Sequence, residues 1–154
     1  MPEMTLQELK AALPRNGRLL GLDLGTKTIG LAISDGALMV ASPIETIQRT
    51  KFTADAQKLL GVVDGRQVAG LVLGLPVNMD GTEGPRCQST RQFARNLLGL
   101  RDLPIAFWDE RLSTAAVQRA MIDADLTRAK RAKVVDQMAA GYILQGALDF
   151  LRRN

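Results

Sequence analysis

The stretch Val68-Ala-Gly-Leu-Val-Leu-Gly-Leu75 constrains the fold of this chain more than any other. It carries no polar side chain and no alternation of apolar with polar, so it reads as a strand buried on both faces, with structure layered on each side. The Gly/Pro-punctuated segment Pro76 to Pro85 follows as a loop. A helix is predicted from Arg86 to Leu98, and beyond Pro104 comes a second short apolar strand, Ile105 to Trp108. Strand, helix and strand in this order imply two parallel strands joined by a crossover helix.

Upstream, Arg18 to Asp23 and Ile29 to Asp35 read as strands joined by a tight turn at Gly25, a hairpin. A weaker third strand is expected at Ile44 to Gln48 after Pro43. A helix at Thr53 to Val63 then presents Ala56, Leu59, Leu60 and Val63 on one face. Downstream, Ser113 is expected to cap a helix that turns Val117, Ala120 and Met121 inward. Leu126, Val135, Met138, Ala139, Tyr142, Ile143, Gly146, Ala147 and Phe150 recur at helical spacing, so a long amphipathic helix closes the chain. Residues 1–17 read as a short polar lead-in. The 154 residues suit one α/β domain with one core, spanning 1–154.

Histidine is absent, which excludes Ser-His-Asp and Cys-His nucleophile systems, His-ligated zinc and an imidazole base. Catalysis would have to rest on carboxylates, lysine, hydroxyls or bound metal. The single cysteine, Cys87, cannot form an intramolecular disulfide, and with Thr90, Phe93, Ala94, Leu97 and Leu98 it marks a buried helix face rather than a nucleophile. Lysine and arginine outnumber aspartate and glutamate by 20 to 16, and the pI near 9.6 admits a polyanionic partner wherever that excess is clustered. Met1 to Lys10 contains acids and no long apolar run, so neither a signal peptide nor a membrane span is expected, and the cytoplasm is the expected compartment.

Ligands of such sheets gather at the carboxyl ends of parallel strands, and the informative acids cluster there. Asp23 ends the first strand, Asp109 and Glu110 follow the last, and Asp136 stands at the border of the closing helix's apolar stripe. Half-buried carboxylates are costly unless paired or metal-bound, so three of them predict a hard cation such as Mg²⁺ or Mn²⁺ and suit phosphodiester chemistry. The bland alternatives are a turn cap for Asp23, an Arg111 pair for Glu110 and a Lys133 bridge for Asp136. The turn Leu24-Gly25-Thr26-Lys27-Thr28 offers amides, hydroxyls and a lysine as a phosphate cradle. Arg128, Lys130, Arg131 and Lys133 form a basic cluster that would position a nucleic-acid backbone or serve as an ordinary solvated helix start.

Four blocks, in order, carry a family resemblance from Leu20 to about Phe150: Gly21-Leu-Asp-Leu-Gly-Thr-Lys-Thr-Ile-Gly30, Gly74-Leu-Pro-Val-Asn-Met-Asp-Gly-Thr82, Asp109-Glu-Arg-Leu-Ser-Thr114 and Lys133-Val-Val-Asp136. The chain resembles the YqgF/RuvX family. The resemblance implies an RNase H-like fold, a five-stranded mixed sheet of three antiparallel strands and then parallel ones, flanked by helices. It implies a metal-dependent nuclease with Asp23, Glu110 and Asp136 in the three acidic positions, and with Thr26, Lys27, Asn78 and Asp80 on the substrate side. The family is associated with 5′-end maturation of the 16S ribosomal RNA precursor and with Holliday junction resolution.

RuvC-type resolvases carry two neighbouring acids on the last helix, whereas here the next acid after Asp136 is Asp149, roughly 20 Å further on. RNA processing is therefore ranked above junction cutting, and Asp109 is held as a reserve ligand in place of Glu110. A junction-cutting protein would act as a homodimer, since two symmetric cuts need two sites. An actin-like nucleotide-binding domain and a catalytically silent nucleic-acid adaptor are the rival readings.

Overall fold

The computed structural model describes residues 4–112 and 128–153, with side chains for 4–112 and 138–153. The elements are α1 (Leu6–Ala12), β1 (Arg18–Leu24), β2 (Thr28–Ser34), β3 (Ala41–Gln48), α2 (Phe52–Gly65), β4 (Val68–Leu75), α3 (Pro85–Leu100), β5 (Ile105–Asp109), a 3-10 turn at Glu110–Leu112, and α4 (Arg128–Arg153). The helix expected from Ser113, including Val117, Ala120 and Met121, falls outside the described residues.

The sheet order is β3-β2-β1-β4-β5, with β1, β2 and β3 antiparallel and β1, β4 and β5 parallel. The five-stranded mixed sheet expected from the sequence is present. The apolar run Val68–Leu75 is β4, an interior strand between β1 and β5, and all its residues but Ala69 are buried. Its side chains alternate between two cores. Leu71 and Leu73 join Leu20, Leu22, Leu59 and Phe93 on the α2/α3 side, and Val72 joins Leu19, Ala106, Ile143 and Leu144 on the α4 side. Cys87 is buried together with Thr90, Phe93, Ala94 and Leu97 on one face of α3, as its spacing predicts.

Three expectations are corrected. The lead-in contains α1, started by a capping box in which the Glu8 amide donates to Thr5 Oγ1 and the Thr5 amide donates to Glu8 Oε1. Leu6 and Leu9 of α1 are buried in the α4-side core, which gives so short a helix its stability. Strand β3 begins at Ala41 and runs through Pro43, which an edge strand tolerates because no neighbour needs its missing N–H. Ala139, Ile143 and Ala147 of the expected stripe are buried, but the row also takes in Ala140, Leu144, Leu148 and Leu151, while Met138, Tyr142, Gly146 and Phe150 are only partly buried, a stripe rotated by less than one residue from the expected one.

That rotation has a local cause. A Cβ placed on Gly21 of β1 would stand 2.7 Å from Leu144 Cβ and 3.2 Å from the Ala140 carbonyl oxygen, so the helix backbone rests directly on the strand. Its direction is fixed by the edge strand. Gln145 Oε1 accepts the Ala41 amide at 2.8 Å, while Gly141 sits against Pro43 two residues further along β3. The N-terminal half of α4 therefore runs toward the sheet end where β1 and β4 stop. No described helix is long and apolar enough to cross a membrane.

Candidate active site

Period-two alternation decides which carboxylates share a face. On β1, Leu20 and Leu22 point to the α2/α3 core and Gly21 to α4, so Asp23 points to the α4 side, where it is 3 % exposed. Leu22 of β1 is in register with Leu73 of β4, which puts Asp23 beside Gly74 one step on. A Cβ on Gly74 would meet Ile143 of α4 at 2.4 Å and Glu110 Oε2 at 3.2 Å. Glu110, 6 % exposed, thus reaches back over β4 to the strand position next to Asp23. The structure brings these two predicted acids together at the carboxyl ends of β1 and β5.

Asp109 goes the other way. Trp108 stacks edge-on against Phe150 of α4, so Asp109, one residue on, takes the opposite face. There its carboxylate accepts from Arg111 Nη2 at 2.7 Å, from Arg111 Nε and from the Arg111 amide. The Arg111 guanidinium, bonded to it, holds the Asp109 carboxyl below its ordinary range, outweighing partial burial. Arg111, the arginine considered as a partner for Glu110, thus pairs with Asp109.

Asp136 and Lys133 lie within α4, but their side chains fall outside the described residues. Asp136 stands one helical turn before Ala140.

The β1–β2 turn is closed by the Gly25 amide donating to the Thr28 carbonyl at 2.9 Å, and it leaves Thr26 and Lys27 exposed. Asn78 and Asp80 close the β4–α3 loop on itself. The Asn78 amide donates to the Thr82 carbonyl, Asn78 Nδ2 to Thr82 Oγ1 at 3.0 Å, and Asp80 Oδ1 accepts both the Thr82 amide and its hydroxyl. Those Thr82 bonds, the hydroxyl's first, keep the Asp80 carboxyl below its usual range. Gly81, at φ +91°, makes the reversal that an L side chain resists.

Sequence reasoning missed Arg49 and Arg86. Arg49 donates to the Gly25 carbonyl and Arg86 to the Leu24 carbonyl, so both guanidiniums clamp the turn after Asp23 from the α3 side. No local motif announces them, because one follows β3 and the other opens α3.

A mixed sheet in this order, with helices packed on both faces, is an RNase H-like fold. Solved structures agree: Thermus thermophilus RuvC in complex with a Holliday junction matches with a TM-score of 0.58 at 13% identity, over 90% of this chain and 96% of that one. The yeast mitochondrial Holliday junction resolvase Ydc2 matches with a TM-score of 0.50 at 12% identity, over 96% and 85%. At such identities the likeness concerns the fold. The family model described as "RuvX: Holliday junction resolvase" matches residues 17–150, and the chain belongs to the RuvX family. A protein of Rhodospirillum rubrum named "Putative pre-16S rRNA nuclease" is 65% identical over 100% of this chain and 96% of its own length. One of the same name from Paracoccus denitrificans is 68% identical over 92% and 89%.

Proposed function

We propose that this chain is a metal-dependent nuclease that hydrolyses phosphodiester bonds, acting in the cytoplasm on the 5′ end of the 16S ribosomal RNA precursor. The observation that carries the reading is the placement of Asp23 and Glu110, both buried on one face around the side-chain-free Gly74. Two carboxylates brought together out of water repel one another and favour a divalent cation between them. Oxygen-only donors suit Mg²⁺ or Mn²⁺, with Asp23, Glu110 and Asp136 as the residues that would hold it. Bound divalent ions supply an activated water and stabilise the leaving oxygen.

The chain's own residues then serve the substrate. Thr26 and Lys27 stand exposed where a backbone phosphate would approach Asp23, and Lys133 adds positive charge from α4. Asn78 and Asp80 contribute through the rigid loop they hold together at the rim. The relatives' name favours an RNA precursor over a junction. So does Asp149, which is bonded to Gln145 and Arg152 and stands roughly 20 Å along the helix from Asp136.

The test is Mn²⁺-dependent cleavage of a 5′-extended ribosomal RNA precursor and of a four-way DNA junction, side by side, by wild type and Asp23→Asn. Cleavage of the RNA by wild type alone, abolished by chelation, is the expected result. Preferential cutting of the junction would replace the substrate and require a homodimer. Equal cutting by both proteins, or none, would leave a nucleic-acid-binding adaptor.

A further inference from the structure

Leu24 follows Asp23 on β1, so the two side chains leave the strand on opposite faces. On the Leu24 side, at the same sheet end as the carboxylates, a cavity of about 440 Å³ opens between the β1–β2 turn, the end of β3 and the start of α3. Its volume falls within the range of small-molecule sites. Leu24, Pro85 and Phe93 give it an apolar floor, and Arg49, Arg86, Thr26 and Ser89 line its walls.

The walls are positive. Among the described residues neither Arg49 nor Arg86 has a carboxylate partner. Each guanidinium is held by a turn carbonyl, and Arg49 also stacks 5.8 Å from the Phe93 ring centre. A guanidinium has five N–H donors in a fixed fork, so one bond to a carbonyl leaves donors for an anion. Thr50, also on the wall, donates its amide and hydroxyl to the buried Asp55, which accounts for that acid.

We propose that this cavity binds one phosphorylated nucleotide, with its phosphate on Arg49, Arg86 and Ser89 and its apolar part over Leu24, Pro85 and Phe93. Two guanidiniums without carboxylate partners among the described residues, each held by a turn carbonyl beside an apolar floor, match a group that is anionic at one end and presents a flat ring face at the other. The nucleotide is either a residue of the strand that passes over Thr26 to the carboxylates or a free nucleoside monophosphate. The first source rests on the nuclease reading.

The experiment is an amide-resolved NMR titration of metal-free Asp23→Asn protein with adenosine monophosphate, adenosine, inorganic phosphate and a short single-stranded RNA. Adenosine monophosphate should shift the amides of Thr26 and Ser89, and adenosine should not. Ser89→Glu, which sets a carboxylate in the cavity at an exposed helix position, should weaken that binding by at least about tenfold. Ser89→Gln, similar in size to Glu but uncharged and still a hydrogen-bond donor, should lose clearly less affinity than Ser89→Glu. Melting curves of both variants check the fold. RNA bound more tightly than the free nucleotide, and lost in Ser89→Glu, assigns the site to the strand; the reverse order assigns it to a free nucleotide. Absence of pocket shifts with both nucleotide and RNA, or undiminished binding to folded Ser89→Glu, overturns the proposal. The titration involves no turnover, so failure of the cleavage assay leaves it standing, and Asp23-dependent cleavage without pocket binding removes the pocket alone.

Discussion

Gly74→Ala separates packing from chemistry at the site. The added methyl would fall 2.4 Å from Ile143 Cδ1, 3.0 Å from Ile143 Cγ1 and 3.2 Å from Glu110 Oε2. Ile143 is 0 % exposed, so its end has no open space to swing into. Overpacking of this kind costs about 1–3 kcal/mol, which for a chain of this length lowers Tm by roughly 2–12 °C. The carboxylate must also give by a few tenths of an ångström. Since a displacement of 1 Å costs about a hundredfold in rate, cleavage should fall by about tenfold. The double variant Gly74→Ala/Ile143→Val removes the worst contact and should recover part of the lost stability while cleavage stays low, a coupling of about 1 kcal/mol in a double-mutant cycle. Thermal melts and single-turnover cleavage in Mn²⁺ give both quantities. A single variant as stable and as active as wild type would refute the argued contact. A double variant that regains full rate would show that Ile143, and not Glu110, transmits the effect.

At Gly21 the obstacle is Leu144 Cβ at 2.7 Å and the Ala140 carbonyl at 3.2 Å, neither of which can rotate away. Gly21→Ala should therefore cost about 3 kcal/mol or more, and a melt within about 1 °C of wild type would contradict that packing. Gly61, exposed within α2, has nothing within 4 Å of its added methyl, and Gly61→Ala should stabilise by about 0.5–1 kcal/mol in urea unfolding. Glu110→Gln should lower cleavage by more than about 100-fold, beyond the cost of an outer-shell partner. Asp109→Asn, on the opposite face, should cut within about threefold of wild type, and the reverse order in the two kcat values would reassign the pair. Because Arg111 holds the Asp109 carboxyl below its ordinary range, the pairing favours the folded state above about pH 4 and is lost as pH falls through the lowered value. Tm should therefore drop more steeply below about pH 4 in wild type than in Asp109→Asn, and parallel curves would deny the pair a role.

What was legible in the sequence follows from how each signal is encoded. The β4 run needed no partner to be read, because burial on both faces leaves no polar position. Cys87 and its helical neighbours were equally plain, since α3 has a polar face against which the buried one stands out. Helix α1 was missed although Thr5 and Glu8 spell a capping box, because its two buried leucines acquire meaning only from the α4-side core they enter. The spacing on α4 locates Ala139, Ile143 and Ala147 but not Ala140, Leu144 and Leu148, because apolar residues lie on both sides of the stripe and Gly21 decides which row touches the sheet. Arg49 and Arg86 were invisible for the same reason: their common target, the turn after Asp23, is a tertiary fact.

The two glycines on the α4 side explain how Asp23 and Glu110 come to share one face beside that helix. Gly21 lets α4 rest on the backbone of β1, and Gly74 leaves the space that the Glu110 carboxylate and Ile143 share. Close seating of the helix carries its N-terminal half, which includes Asp136, toward the end of β1, where Asp23 stands. A larger residue at either glycine would lift the helix and widen the spacing among these positions. Divalent-ion chemistry tolerates little such widening, because oxygen ligands must sit near 2.0–2.1 Å from Mg²⁺. On this argument the glycines are as necessary to the proposed metal site as the acids, and they should fail differently: Asp23→Asn by loss of turnover in a stable protein, Gly21→Ala by loss of stability and turnover together.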